Sequence, residues 1–159
     1  MTFYKVMSRL PIKIAADLRS TPQSLLHHPE GNAFEHTKQV FEKTIEHFGE
    51  DIDMQLAAIF RDLGKIECTF LKDGRIVAYG HELRAKEYIE KYKHLFDDLD
   101  INWDRVKYVC RYHMLAHRFE EMRKFKLDAL KESPYFDDLV LFAKCDNEGR
   151  VVRDGQRDS

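Results

Sequence analysis

The chain of 159 residues is 43% apolar and 34% charged, with 7 Gly and 4 Pro, a balance that suits a packed core and excludes disordered, collagen-like and disulfide-stapled classes. Its 26 Lys and Arg oppose 28 Asp and Glu for a formal charge of -2, so no extended nucleic-acid surface is expected and any anionic ligand must be held locally. Cys68, Cys110 and Cys145 read as free thiols of a reducing compartment, and no apolar run approaches the roughly 20 residues of a membrane span, so a cytoplasmic protein without a membrane partner is expected.

Residues 1–26 read as a short N-terminal extension, its apolar runs broken by Lys5, Arg9, Pro11 and Lys13. Thr21 and Pro22 suit the start of a short helix over 22–26. Apolar residues three or four apart then predict a helix over 33–48, with Val40, Phe41, Ile45 and Phe48, and another over 52–64, with Leu56, Ile59, Phe60 and Leu63. Residues 67–79 break the helical period: Asp73 and Gly74 separate two short strand-like runs, which predicts a small hairpin or extended insertion. Helices follow over 82–96, 103–115 and 135–148, Asn102 starting one, Pro134 opening the last and Gly149 stopping it. The expectation is an all-α bundle in one domain over 1–150, with a flexible tail over 151–159.

Titratable residues fall on the apolar stripes of four helices. His36 lies one turn before Val40, Asp62 beside Leu63, His113 after Val109 and Cys110, and Asp146 after Phe142 and Ala143. Each alone reads most simply as a hydrogen-bonded core residue. Four together burden a domain stabilised by about 5–15 kcal/mol, since an unpartnered buried charge costs several kcal/mol. A shared divalent ion relieves that burden, and imidazole with carboxylate suits Mn, Fe, Ni or Zn.

In order, the chain reads HPEG at 28–31, FEHT at 34–37, AAIFRDLGK at 57–65, YGHELRA at 79–85, RYHMLAHRF at 111–119 and FAKCDNEGR at 142–150. This series resembles the HD superfamily of metal-dependent phosphohydrolases, and most of all the HD region of bacterial CCA-adding tRNA nucleotidyltransferases, here standing alone. The resemblance implies an HD-domain helical bundle acting on a nucleotide, a cyclic nucleotide phosphate or a phosphorylated RNA end. It implies a divalent metal (Mn, Ni, Co, Fe, Mg or Zn) on His36, Asp62 and Asp146, with His81 and His113 serving a second ion or the substrate phosphate. Asp62, Lys65, His81 and His113 would be catalytic; His28, Lys65, Arg84, His117, Arg118 and Arg150 would bind substrate.

One position departs from the pattern. The family's His-Asp pair is Arg61-Asp62 here, and a guanidinium has no lone pair for a metal. Either Arg61 turns towards Asp62 and Asp146 and replaces the ion, leaving a silent binding module, or it swings outwards and a weakened metal site survives; a change introduced to silence an active protein is a third reading. An interaction domain with a vestigial site, in which Tyr4, Phe70, Tyr79 and Trp103 line an interface, is the remaining alternative, and residues 111–126 mix aromatics with cations in a way that suits either a base or a snorkelling helix end.

Overall fold

The computed structural model describes residues 1–23 and 31–150; His28, the tail over 151–159 and most of the helix expected at 22–26 lie outside them. Within the N-terminal extension expected over 1–26, the chain forms α1 (Phe3–Met7) and α2 (Ile12–Arg19), two helices that the sequence reading did not place. Phe3, Val6, Leu10, Ile14 and Leu18 are buried and belong to the same apolar core as residues as distant as Cys145. The cations that interrupt these runs stay at the surface, so the amphipathic period was present but short. Thr21 closes α2 rather than opening a new helix: its hydroxyl donates to the Asp17 carbonyl at 2.7 Å, and Pro22 bridges Asn32 in extended conformation.

Asn32 caps α3 (Ala33–Phe48) by accepting the Glu35 N–H, and Asp51 caps α4 (Ile52–Phe60) by accepting that of Met54. Every residue of α4 from Met54 to Phe60 is buried, which fits its nearly unbroken apolar run and its place between α3 and α7. The helix ends earlier than its apolar pattern suggests. Residues 61–64 turn, and a short α5 (Lys65–Cys68) leads into an antiparallel hairpin of β1 (Thr69–Lys72) and β2 (Arg75–Ala78). Asp73 and Gly74 both have positive φ (51° and 77°), as a two-residue hairpin turn of this hand requires.

α6 (His81–Tyr92) continues as a 3-10 turn, Lys93–Phe96. α7 (Trp103–Tyr112) packs on α4 and α6, and after a 3-10 stretch, Leu115–Glu121, come α8 (Lys124–Lys131) and α9 (Phe136–Glu148). The sequence pattern missed α8 because it buries only Leu130. Arg105 of α7 ties three helix starts together, reaching Asp51 and Asp138 at 2.8 Å and Asp53 at 3.2 Å. The result is an all-α bundle with a small β insertion. No helix among the described residues is long and apolar enough to cross a membrane.

Gly64 is required by close approach, not by its ordinary φ. A Cβ there would lie 2.4 Å from the His81 carbonyl oxygen and 2.7 Å from Arg84 Cβ, neither of which is a flexible tip. Gly64→Ala should therefore push the start of α6 away, at about 1–3 kcal/mol, and carry His81 with it. A lower urea midpoint with an unchanged slope is the expected result; an unshifted midpoint would contradict the packing.

Candidate functional site

Five helices, or the turns at their ends, bring side chains to one cavity of about 300 Å³. Asp62 sits in the turn after α4, His81 opens α6, His113 closes α7, and Asp146 lies on α9 facing His36 of α3. All five side chains are buried. The sequence placed His36, Asp62, His113 and Asp146 on separate inward stripes, and His81 by the motif resemblance alone; the helix crossings make the stripes meet.

Arg61 lies behind the two carboxylates, not among the residues that line the cavity, with its side chain fully buried. Its guanidinium contacts Asp62 Oδ2 and reaches Asp146 Oδ1 at 3.4 Å, and its carbon lies 5.9 Å from the Phe142 ring centre. None of its three nitrogens has a well-aligned hydrogen bond among the described residues, so ion pairing with two carboxylates carries its neutralisation. Burial opposes both charges, but the guanidinium prevails: it holds Asp62, with help from Lys65, and Asp146 well below the usual carboxylate range. Arg61 is raised in turn; burial opposes its charge and the two carboxylates overcome it.

The carboxylate oxygens divide the site. Asp62 Oδ2 faces Arg61 and the Lys65 ammonium at 3.1 Å, while Oδ1 faces His81 Nε2 at 3.2 Å and His113 Nε2 at 3.5 Å. Asp146 Oδ1 faces Arg61 and His36 Nε2, the latter at 2.8 Å; Oδ2 takes His117 Nε2 at 2.7 Å and Arg150 at 3.4 Å. Three imidazoles are oriented alike. Nδ1–H of His36 donates to the Gly149 carbonyl (3.1 Å), that of His81 to Ala78 (2.8 Å) and that of His113 to Cys110 (2.7 Å), which turns each Nε2 inward.

The two possible metal positions differ in fit. The position among His36, Asp62 and Asp146 is filled by a cation of the protein's own, and a divalent ion beside a guanidinium would be repelled by more than about 4 kcal/mol at 4 Å. That donor set does not fit an ion while Arg61 points inward. Asp62, His81 and His113 do fit one: their donor atoms lie within 4.8 Å of one another, and Nε2 of both histidines is buried without a well-aligned hydrogen bond among the described residues. Burial pushes His113 down, towards the neutral form that offers a lone pair, although Asp62 pulls the other way.

The remaining expected residues separate into two groups. Lys65 and Arg150 line the cavity, and His117 buttresses Asp146 from outside it. Arg84 turns to Glu87 at 3.0 Å, and Arg118 is exposed on the 3-10 stretch; neither lines the cavity. Sequence reasoning missed Gln23, whose buried side chain accepts from Lys65 Nζ at 2.5 Å. It lies in irregular chain, where no periodicity marks an inward residue. Burial holds the Cys110 thiol far up and pushes Cys145 up to about 12, so neither is a nucleophile near neutral pH.

No family model matches the chain. Curated proteins similar to it include a Multifunctional CCA protein from Alkalilimnicola ehrlichii, 28% identical over 142 residues, covering 85% of this chain and 34% of that protein. Another, from Thioalkalivibrio sulfidiphilus, is 28% identical over 141 residues, covering 84% of this chain and 34% of that protein. The chain thus spans about a third of the length of these relatives.

Proposed function

We propose that the chain is an HD-type phosphohydrolase module whose pocket takes a phosphorylated nucleotide or RNA end, with hydrolysis impaired or abolished because Arg61 stands where an ion would. The carrying observation is the buried guanidinium between Asp62 and Asp146. Lys65 and Arg150 line the pocket and Arg61 lies just behind it, so against Asp62 and Asp146 the site carries one net positive charge when the imidazoles are neutral, and that charge suits a phosphate ester. Lys65 is already positioned by Gln23, so it needs little reordering to meet a phosphoryl oxygen. The similarity to CCA proteins supports a nucleotide or RNA ligand.

The two imidazole nitrogens of His81 and His113 that lack a hydrogen bond among the described residues favour a second reading, in which residual phosphodiesterase activity survives. A divalent ion held by Asp62, His81 and His113 would polarise a phosphoryl oxygen and acidify bound water. Lys65 would still steady the phosphate, and His117 would still hold Asp146. Titration with a nucleoside monophosphate in the presence of a chelator separates the readings: binding that survives the chelator and weakens at least tenfold in Lys65→Met supports the silent pocket. Phosphate release that requires added Mn or Ni supports the second, and absence of both binding and turnover refutes the phosphate pocket altogether.

A further inference from the structure

The cavity has an apolar half that phosphate binding does not use. Its wall is the second hairpin strand, with Ile76, Val77 and Ala78, followed by Tyr79 at the mouth. The register pairs Phe70 with Val77 and Lys72 with Arg75, and side chains alternate along a strand, so these four share one face. Tyr79 joins them: its ring meets Phe70 edge-on at 5.8 Å, and the Lys72 ammonium lies 5.3 Å from its centre. Phe70 is 47% and Tyr79 62% exposed. Two aromatics left in solvent beside two cations, continuous with a cationic pocket, are poor use of a hairpin that only needs to connect α5 to α6.

We propose that this face is a stacking platform for a short single-stranded nucleic-acid end, with a base on Tyr79 and the neighbouring phosphodiester against Lys72 and Arg75. The proposal rests on the pocket taking the terminal phosphate at Lys65 and Arg150. Every base has a π-face, so an aromatic platform accepts it whatever the sequence, and the adjacent cations match the backbone that follows. A protein partner's apolar helix is the weaker occupant, because docking on Tyr79 and Phe70 would desolvate Lys72 and Arg75 without pairing them. Since the platform stands at the mouth, the chain beyond the bound nucleotide has an open exit. That geometry fits an oligonucleotide end better than a free mononucleotide.

Calorimetric titration with three probes tests this: a ribotrinucleotide bearing a terminal phosphate, the same trinucleotide without it, and ribose 5-phosphate. Tyr79→Ala should weaken the phosphorylated trinucleotide roughly 5- to 150-fold and leave ribose 5-phosphate unchanged, while Tyr79→Phe retains affinity. Tyr79 is exposed, so folding is not at risk. Lys72→Glu should weaken the trinucleotide and flatten its salt dependence. Equal trinucleotide affinity in the parent, Tyr79→Ala and Phe70→Ala would overturn the platform and leave the phosphate pocket standing. Tyr79-dependent binding of the unphosphorylated trinucleotide, with no gain from the phosphate, would keep the platform and remove the phosphate reading. Binding of none of the probes at millimolar concentration would overturn both.

Discussion

Arg61→Ala should lower the unfolding free energy by about 3–5 kcal/mol near neutral pH, because it strips two buried carboxylates of their shared cation. For a chain of this size that is a fall in Tm on the order of 10 °C. The loss exceeds what side-chain volume alone explains: Arg61→Met, which refills much of the space, should recover only part of it, since Asp62 and Asp146 would lose the cation they share and keep only Lys65 at 3.1 Å and Arg150 at 3.4 Å, one on each. One of them would then take up a proton, as paired carboxylates do. Urea unfolding at pH 7 measures the effect. A change below about 1 kcal/mol for both variants would mean that Arg61 is not neutralising the pair.

The same pairing sets the behaviour in acid. Asp62 and Asp146 titrate lower in the folded chain than in the unfolded one, despite burial, because Arg61 favours their ionised forms. Below the unfolded carboxylate pKa of about 3.9, the unfolded state therefore binds more protons. Stability from each group is complete above that pH and falls by about 1.4 kcal/mol per unit as pH drops towards the folded pKa. His113 acts in the same direction from higher pH: burial lowers its pKa, so its contribution is full above about 6.5 and declines below it. Arg61→Met removes the cation that depresses both acids. The stability gap between parent and variant should consequently be widest near pH 7 and narrow steadily towards pH 2. A gap that stays constant from pH 5 to pH 2 would rule out Arg61 as the source of the shifts.

What the sequence disclosed follows from how each residue is positioned. His36, Asp62, His113 and Asp146 lie on strongly periodic helices or at their ends, and an inward stripe predicts an inward side chain. Their meeting was legible because four buried titratable groups need a common partner. The partner itself was not settled: residue identity shows that Arg61 cannot ligate a metal, but only the packing against Phe142, Asp62 and Asp146 sends it inward. Gln23 lay beyond reach because irregular chain carries no period. α1 and α2 were missed because five and eight residues are too few to display a stripe against interrupting cations. Arg84 illustrates the opposite limit, where a motif position invites a role but Glu87 and Glu67 hold the side chain outside. The hairpin was legible from Asp73-Gly74 between two strand-like runs, since so few residue pairs accept positive φ twice in succession.

The central claim is that a protein cation occupies the position an ion would take among His36, Asp62 and Asp146. Elemental analysis of the parent and of Arg61→His, each saturated with Ni and freed of excess metal by gel filtration, tests it by difference, whatever the Asp62, His81 and His113 cluster holds in both. The account predicts one more ion per chain in Arg61→His than in the parent. Equal metal content in the two proteins would contradict it.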